Sequence, residues 1–373
     1  MFSCNLFFYT FTAYICYMPK SSHNTSNPSI NYFFILIVLF GFNSCKKGSI
    51  SPTGKQPVKT GTSVIITGNV LAGNQNPVAV YWKDGVIHRL VTDTTGTSTA
   101  TGIAINDTDV YICGNVNGYA TYWKNGIATI VANGASATAI TVNGNDVYVA
   151  GNRFINGNQV AAYWKNNTLF SIGDTTEMST PSSILVNGSD VYVAGHDFSL
   201  PKNFYSLALW KNGVKSVISS INVIGYATND LAIDSNKIYI TGDLGYATSL
   251  HTQAILWENA NPLYLTYIPT TGTSGTNAIV VNNGNIYVAG YSNNMAAYWT
   301  VNGTSFTEHD LTSPSLLYFA TAIAFNGADM YISGNQESLN LSTPYENAVY
   351  WKNGTIVNLA PNGSTTGIGV VKY

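Results

Sequence analysis

Charge is the scarcest property of this chain. Lysine, arginine, aspartate and glutamate together make up 9% of it, and the formal net charge is -2. Without a basic stripe there is nothing to neutralise phosphates and release counterions, so nucleic acid is excluded as an expected partner. Cysteine is nearly absent: Cys4, Cys16, Cys45 and Cys113 are the only four. Three fall in the first 45 residues, which leaves Cys113 alone in the body and no disulfide framework there. Cys113 stands where sister segments carry Ala or Thr, as in Tyr148-Val149-Ala150-Gly151, and reads as a small core residue rather than a reactive thiol. Long helical periodicity is missing too. Short alternating runs of valine and isoleucine among Gly, Asn, Thr, Ser and Tyr give an all-β composition. No nucleophile–base pair, His-rich metal set or phosphate loop stands at diagnostic spacing, so no cofactor and no metal is expected. Asp107-Thr108-Asp109 has a superficial look of a calcium loop but lacks the further alternating acids such a loop needs.

The first 45 residues read as an address. Ile30 to Phe42 is an almost purely apolar run, short for a membrane span and suited to a signal-peptide core. It ends in Asn43-Ser44-Cys45, which resembles the lipobox of bacterial lipoproteins, and Ser44-Cys45-Lys46-Lys47 is similar to lipoproteins of the Bacteroidetes. The resemblance implies lipidation at Cys45 and an anchor in the outer membrane. Met18 offers a start that leaves an ordinary signal length. Residues 46–62, rich in Pro, Ser, Gly and Lys, bury too little apolar surface to fold and read as a flexible tether. No acidic residue follows Cys45 closely, which favours the periplasmic side over the cell surface.

From Ser63 onward the chain repeats. All seven tryptophans occupy one motif, represented by Tyr81-Trp82-Lys83-Asp84-Gly85, Tyr122-Trp123-Lys124-Asn125-Gly126 and Tyr350-Trp351-Lys352-Asn353-Gly354, and they are spaced by 41 to 52 residues. A second motif also recurs seven times, as in Val110-Tyr111-Ile112-Cys113-Gly114 and Val191-Tyr192-Val193-Ala194-Gly195. It is preceded by a small apolar strand such as Thr321-Ala322-Ile323-Ala324-Phe325. Four short strands per period of roughly 40–50 residues is the signature of a propeller blade. The first repeat lacks its first strand, and the chain ends on an orphan one, Gly367-Ile368-Gly369-Val370-Val371. Pairing the two ends closes a ring and removes the exposed edges. Residues 63–373 are therefore expected to form a monomeric, seven-bladed β-propeller with four antiparallel strands per blade. The repeat unit looks like the extracellular propeller-type repeats of bacteria, including the HAF repeats, a resemblance that implies fold and no catalytic residues. The aromatic rings of the motif are expected to fill the space between blades.

Asn-Gly turns such as Asn143-Gly144 and Asn125-Gly126 mark tight hairpins on one face. The connections from second to third strand, including 152–158, 196–206, 243–253 and 335–346, are expected as variable loops on the other face, where binding chemistry usually collects. Candidate ligand-binding residues are His196, Asp197, Phe198, Lys202, Phe204, Tyr205, Asp243, Tyr246, His251 and Tyr345, with Glu337 nearby. His196 and Asp197 read as an acid–base pair. Tyr226, Tyr318 and Phe319 are expected to add aromatic surface near the axis. Aromatic and amide-rich loops suit sugars, whose C–H faces stack on rings. The expected function is a non-catalytic binding or scaffold lipoprotein for a glycan or an envelope protein. A polysaccharide hydrolase or lyase using His196, Asp197, Asp243 and His251 is the alternative.

Overall fold

In the computed structural model the described residues are 61–73, 75–199, 204–219, 225–245, 251–266, 272–313, 317–337 and 347–373. The signal segment, Cys45 and the expected tether up to residue 60 lie outside them, and Thr62 already belongs to the first strand. Among the described residues there are twenty-eight strands and no helix. They form seven four-stranded antiparallel sheets. Blade 1 is made of 62–89 closed by Gly363–Lys372, and blades 2 to 7 span 98–133, 135–171, 178–219, 225–264, 274–310 and 317–360. The last strand pairs with Thr62–Leu71 as the inner strand of blade 1, so the ring is closed by its two ends as the sequence predicts.

The tryptophans build the seams. All seven are almost fully buried. Each third-strand Trp packs against the preceding blade: Trp164 lies with Tyr111 and Cys113 of blade 2, Trp210 with Tyr148 of blade 3, and Trp82 with Tyr331 of blade 7. The core is thus seven inter-blade layers rather than one centre, and truncating any one indole would cost about 3–5 kcal/mol. The paired tyrosines lie flat on the outer strand instead, as Tyr163 does on Phe170 and Tyr298 on His309.

The Lys-Asn-Gly turn has a hydrogen-bonding reason. Asn125 and Gly126 both take positive φ, 50° and 83°, which Asn and Gly tolerate. Asn125 Oδ1 accepts the Val110 N–H at 2.9 Å, and its Nδ2 donates to Asp109 at 2.8 Å. Lys124 pairs with the same aspartate and lies over Tyr111. Blades 3, 4 and 7 repeat this module with Asn166, Asn212 and Asn353. Asp107-Thr108-Asp109 therefore belongs to a turn, with Asp109 held by Lys124 and Asn125.

The glycine ending the second-strand motif also has a cause. In every blade the inner strand carries one extra residue, a β-bulge, immediately after the residue facing that glycine. The bulge draws the inner backbone close. A Cβ on Gly114 would collide with the carbonyl oxygen of Thr99.

One expectation is corrected. The second and third strands run on past the glycine, so 152–158 is not a loop: Asp146–Ile155 and Asn158–Lys165 are joined by the two-residue turn Asn156-Gly157. Asn117-Gly118 and Asn293-Asn294 do the same in blades 2 and 6. In blades 1, 4, 5 and 7 the second and third strands are separated by four or more residues. Tyr318 is likewise not axial: it is buried edge-on against Trp351.

Candidate functional site

The seven inner strands surround an axial cavity of about 290 Å³. The bulged residues face this region as a girdle: Thr101, Thr138, Ser182, Asn229, Asn277, Thr321 and Thr366, all hydroxyl or amide. Several are spent on holding the next blade. Thr101 Oγ1 donates to Ala137 O at 3.1 Å, Asn277 Nδ2 to Ala320 O at 2.7 Å, and Asn229 Nδ2 to Thr276 O.

A second ring lies one step towards the variable face, at the residue after the motif glycine. In blades 1, 2, 3 and 7 it is Asn69, Asn115, Asn152 and Asn335. Asn115 accepts the Ala137 N–H at 2.9 Å and returns a bond to Ala137 O at 3.3 Å, so one amide satisfies both backbone groups of the next inner strand. Asn69 does the same for Ala100. Asn152 donates to Ser179 O instead, since the equivalent residue, Pro181, has no N–H to give.

Blades 4, 5 and 6 break this rule, with His196, Asp243 and Tyr291 at the three positions. Asp243 Oδ1 accepts the Thr276 N–H at 2.7 Å, but a carboxylate has no donor to return; Asn229 bonds Thr276 O in its place and also reaches Asp243 Oδ2 at 3.4 Å. Burial pushes the Asp243 carboxyl up to about 7 despite these bonds. On the same blade Asp230 is the sole carboxylate lining the axial cavity. Ser183 Oγ donates to it at 2.7 Å and the Ile279 N–H at 3.0 Å, so it ties blade 5 to both neighbours; burial raises its pKa.

The sequence-predicted residues separate into two groups. His196, Phe198 and Tyr205 come together: Phe198 and Tyr205 are cross-strand partners with ring centroids 4.7 Å apart, and the His196 ring lies 6.1 Å from Tyr205. The His196 Nδ1 is buried without a protein partner, and burial lowers its pKa. Asp197 does not pair with it. Both are in the strand Asp190–Ser199, where successive side chains alternate. Asp197 is 2% exposed and ion-paired with Lys215, which also reaches Glu177 at 3.4 Å; burial raises its pKa. Lys215 comes from the outer strand of the same blade. His251 accepts the Gly272 N–H at 3.4 Å on Nδ1. Lys202, Tyr246 and Tyr345 lie outside the described residues, as do the side chains of Phe204 and Tyr226.

Sequence reasoning missed Asn229, Asp230, Asn277 and Tyr291. Aligning the repeats would have found them: Asn229-Asp230-Leu231 falls where other blades read Thr101-Gly102-Ile103 or Thr321-Ala322-Ile323. Phe319 does contribute here, packing edge-on against Tyr291 at 4.9 Å. Among the described residues, no group of three or more His, Cys, Asp or Glu side chains is arranged to hold a metal ion.

No family model matches the chain and no curated protein matches it. Among solved structures it is similar to one titled "Crystal structure of Nidogen/Laminin Complex", at 11% identity and a TM-score of 0.43, over 83% of this chain and 98% of that one. It is also similar to the β-propeller domain of the Trilobed protease from Pyrococcus furiosus, described as having an open velcro topology, at 9% identity and a TM-score of 0.49, over 81% and 95%.

Proposed function

We propose that this protein is a binding module of the cell envelope, tethered to the outer membrane through lipid on Cys45 and facing the periplasm. Its ligand is an uncharged saccharide taken at the blade 4 to 6 side of the axial channel. One observation carries the reading. A propeller that is only a scaffold has no need to vary its seam chemistry, yet the departures from the repeat, His196, Asp230, Asp243 and Tyr291, fall on three consecutive blades. The neutral hydroxyl and amide girdle of the axial cavity and the Phe198–Tyr205 ring pair on blade 4 are the two kinds of surface that a polyhydroxylated ligand with apolar C–H faces uses.

The test is thermal unfolding of the full chain with a panel of neutral oligosaccharides, since a ligand selective for the native state raises the melting temperature. A saturable rise that Tyr205→Ala or Phe198→Ala weakens supports the reading. Silence across the panel moves the role to an envelope protein partner. Loss of palmitate labelling in Cys45→Ala tests the anchor.

One observation favours a second reading, a polysaccharide hydrolase or lyase. Burial pushes the Asp243 carboxyl up to about 7, where a carboxyl can serve as general acid or base. Turnover abolished by Asp243→Asn, with the fold retained, would establish it.

A further inference from the structure

Across the ring from blade 5, the seam between blades 1 and 2 opens into a cleft of about 420 Å³, within the range of about 300–1,000 Å³ usual for small-molecule sites. Its floor is Trp123 with Leu90 and Ala128, and its walls include Val116, Tyr119 and Ile130. Ile130 is 61% exposed and Tyr119 38%, so apolar surface continues outward from the cleft.

Comparison between blades shows why the cleft exists. In each blade one outer-strand residue faces the seam tryptophan across the sheet. It is Ile87, Leu169, Lys215, Pro262, Glu308 or Ile356 in six blades and Ala128 in blade 2. In blade 6 that residue has a polar use: Trp299 Nε1 donates to Glu308 Oε2 at 3.2 Å. Ala128 has no side chain to offer, and the Trp123 indole N–H is buried without a protein partner, as are those of Trp82, Trp210 and Trp351; of these four, Trp123 lines this cleft. A buried donor left unbonded costs about 1–3 kcal/mol, which an incoming acceptor recovers.

We infer that this cleft is a second binding site, distinct from the axial mouth, for an uncharged small molecule with an apolar body and a carbonyl or ether oxygen that accepts from Trp123. Glu308 marks where that oxygen sits, because its carboxylate fills the equivalent place in blade 6. The rim of Thr92, Thr97 and Asn117 is neutral and polar, while Asp93 is the single charge at the edge and disfavours anions.

The probe is acetophenone, with ethylbenzene as the matched compound lacking the oxygen, titrated into the full chain labelled with 15N. The seven indole N–H resonances are followed, and Trp123→Phe identifies the one of interest. The expected result is a saturable shift confined to the Trp123 signal, with ethylbenzene weaker by about tenfold, the value of one hydrogen bond. Ala128→Glu transplants the blade 6 arrangement onto an exposed position, so it should keep the melting temperature and abolish binding. Ile130→Asn, also at an exposed site, should weaken binding without unfolding the chain. No movement of the Trp123 signal, equal shifts at all indoles, or binding that survives Ala128→Glu would each overturn the assignment.

Discussion

Asp243 accepts the backbone N–H of Thr276 at 2.7 Å in the place where Asn115 accepts that of Ala137 at 2.9 Å, so one seam of the ring is held by a carboxylate and its sister by an amide. The two differ only when the proton leaves. Protonated, Asp243 is an amide mimic with a donor; ionised, it is a half-buried charge. Its folded pKa, about 7, lies above the unfolded value, so its contribution is complete below about pH 4 and is lost as pH rises through 7. Asp243→Asn should therefore stabilise the protein by an amount that grows between about pH 4 and 7 and then levels off, reaching about 2 kcal/mol. That is roughly half of what three pKa units imply, because the surroundings of a buried charge relax around it. Urea unfolding at pH 4.5 and pH 8 measures it; an equal effect at both would remove the titrating seam.

The Lys-Asn-Gly module predicts unequal outcomes at equivalent turns. Asn125→Asp keeps the acceptor for Val110 but loses the bond to Asp109 and sets two carboxylates together, so a loss of about 1 kcal/mol at pH 7 is expected, smaller at pH 3.5. In blade 1 an aspartate already occupies the turn, Asp84 Oδ1 accepting from Val64 at 2.9 Å, and Ser63 stands where Asp109 would. Asp84→Asn should change stability by less than about 0.5 kcal/mol. Denaturant midpoints of both variants decide.

At the bulges the constraint is steric. Gly114→Ala places a methyl against the Thr99 carbonyl with backbone on both sides, and should cost at least about 3 kcal/mol or prevent folding. Gly118→Ala, at a turn where nothing lies within 4 Å, pays only for its positive φ, about 1 kcal/mol. Thermal midpoints that fall equally would contradict the bulge argument.

Cys113 is fully buried in the seam of blades 2 and 3, and burial pushes its thiol up to about 12. It should react with a disulfide reagent only after unfolding, and Cys113→Ala, which copies Ala150, should cost less than about 1.5 kcal/mol. Prompt labelling of the native protein would show that the seam opens.

Removal of 363–373 takes away the partner of Thr62–Leu71 and exposes an edge. A broadened, lower thermal transition and concentration-dependent association are expected by calorimetry and light scattering.

Much of this was legible. Trp82 to Trp351 counted the blades, and Gly367 to Val371 announced the closure, because a repeat must state its unit each time it uses it. The candidate site was read less well for a physical reason. A loop at 196–206 would set His196 and Asp197 side by side, but the strand runs on to Ser199, and alternation sends them to opposite faces. Lys215, the actual partner of Asp197, comes from a strand the pairing alone brings near. The acid at Asp243 is plain in the sequence, while its equivalence to Asn115 lies in the grip of each on the next inner strand.

The amino-acid order by itself determined the strand pattern, the turn types and the number of blades, since each depends on local chemistry repeated at a regular interval. The tertiary structure decided which departures from the repeat face the axis, which seam carries a titratable bond, and that Ala128 opens a cleft over Trp123. Those are consequences of one blade packing on the next, and no single repeat contains them.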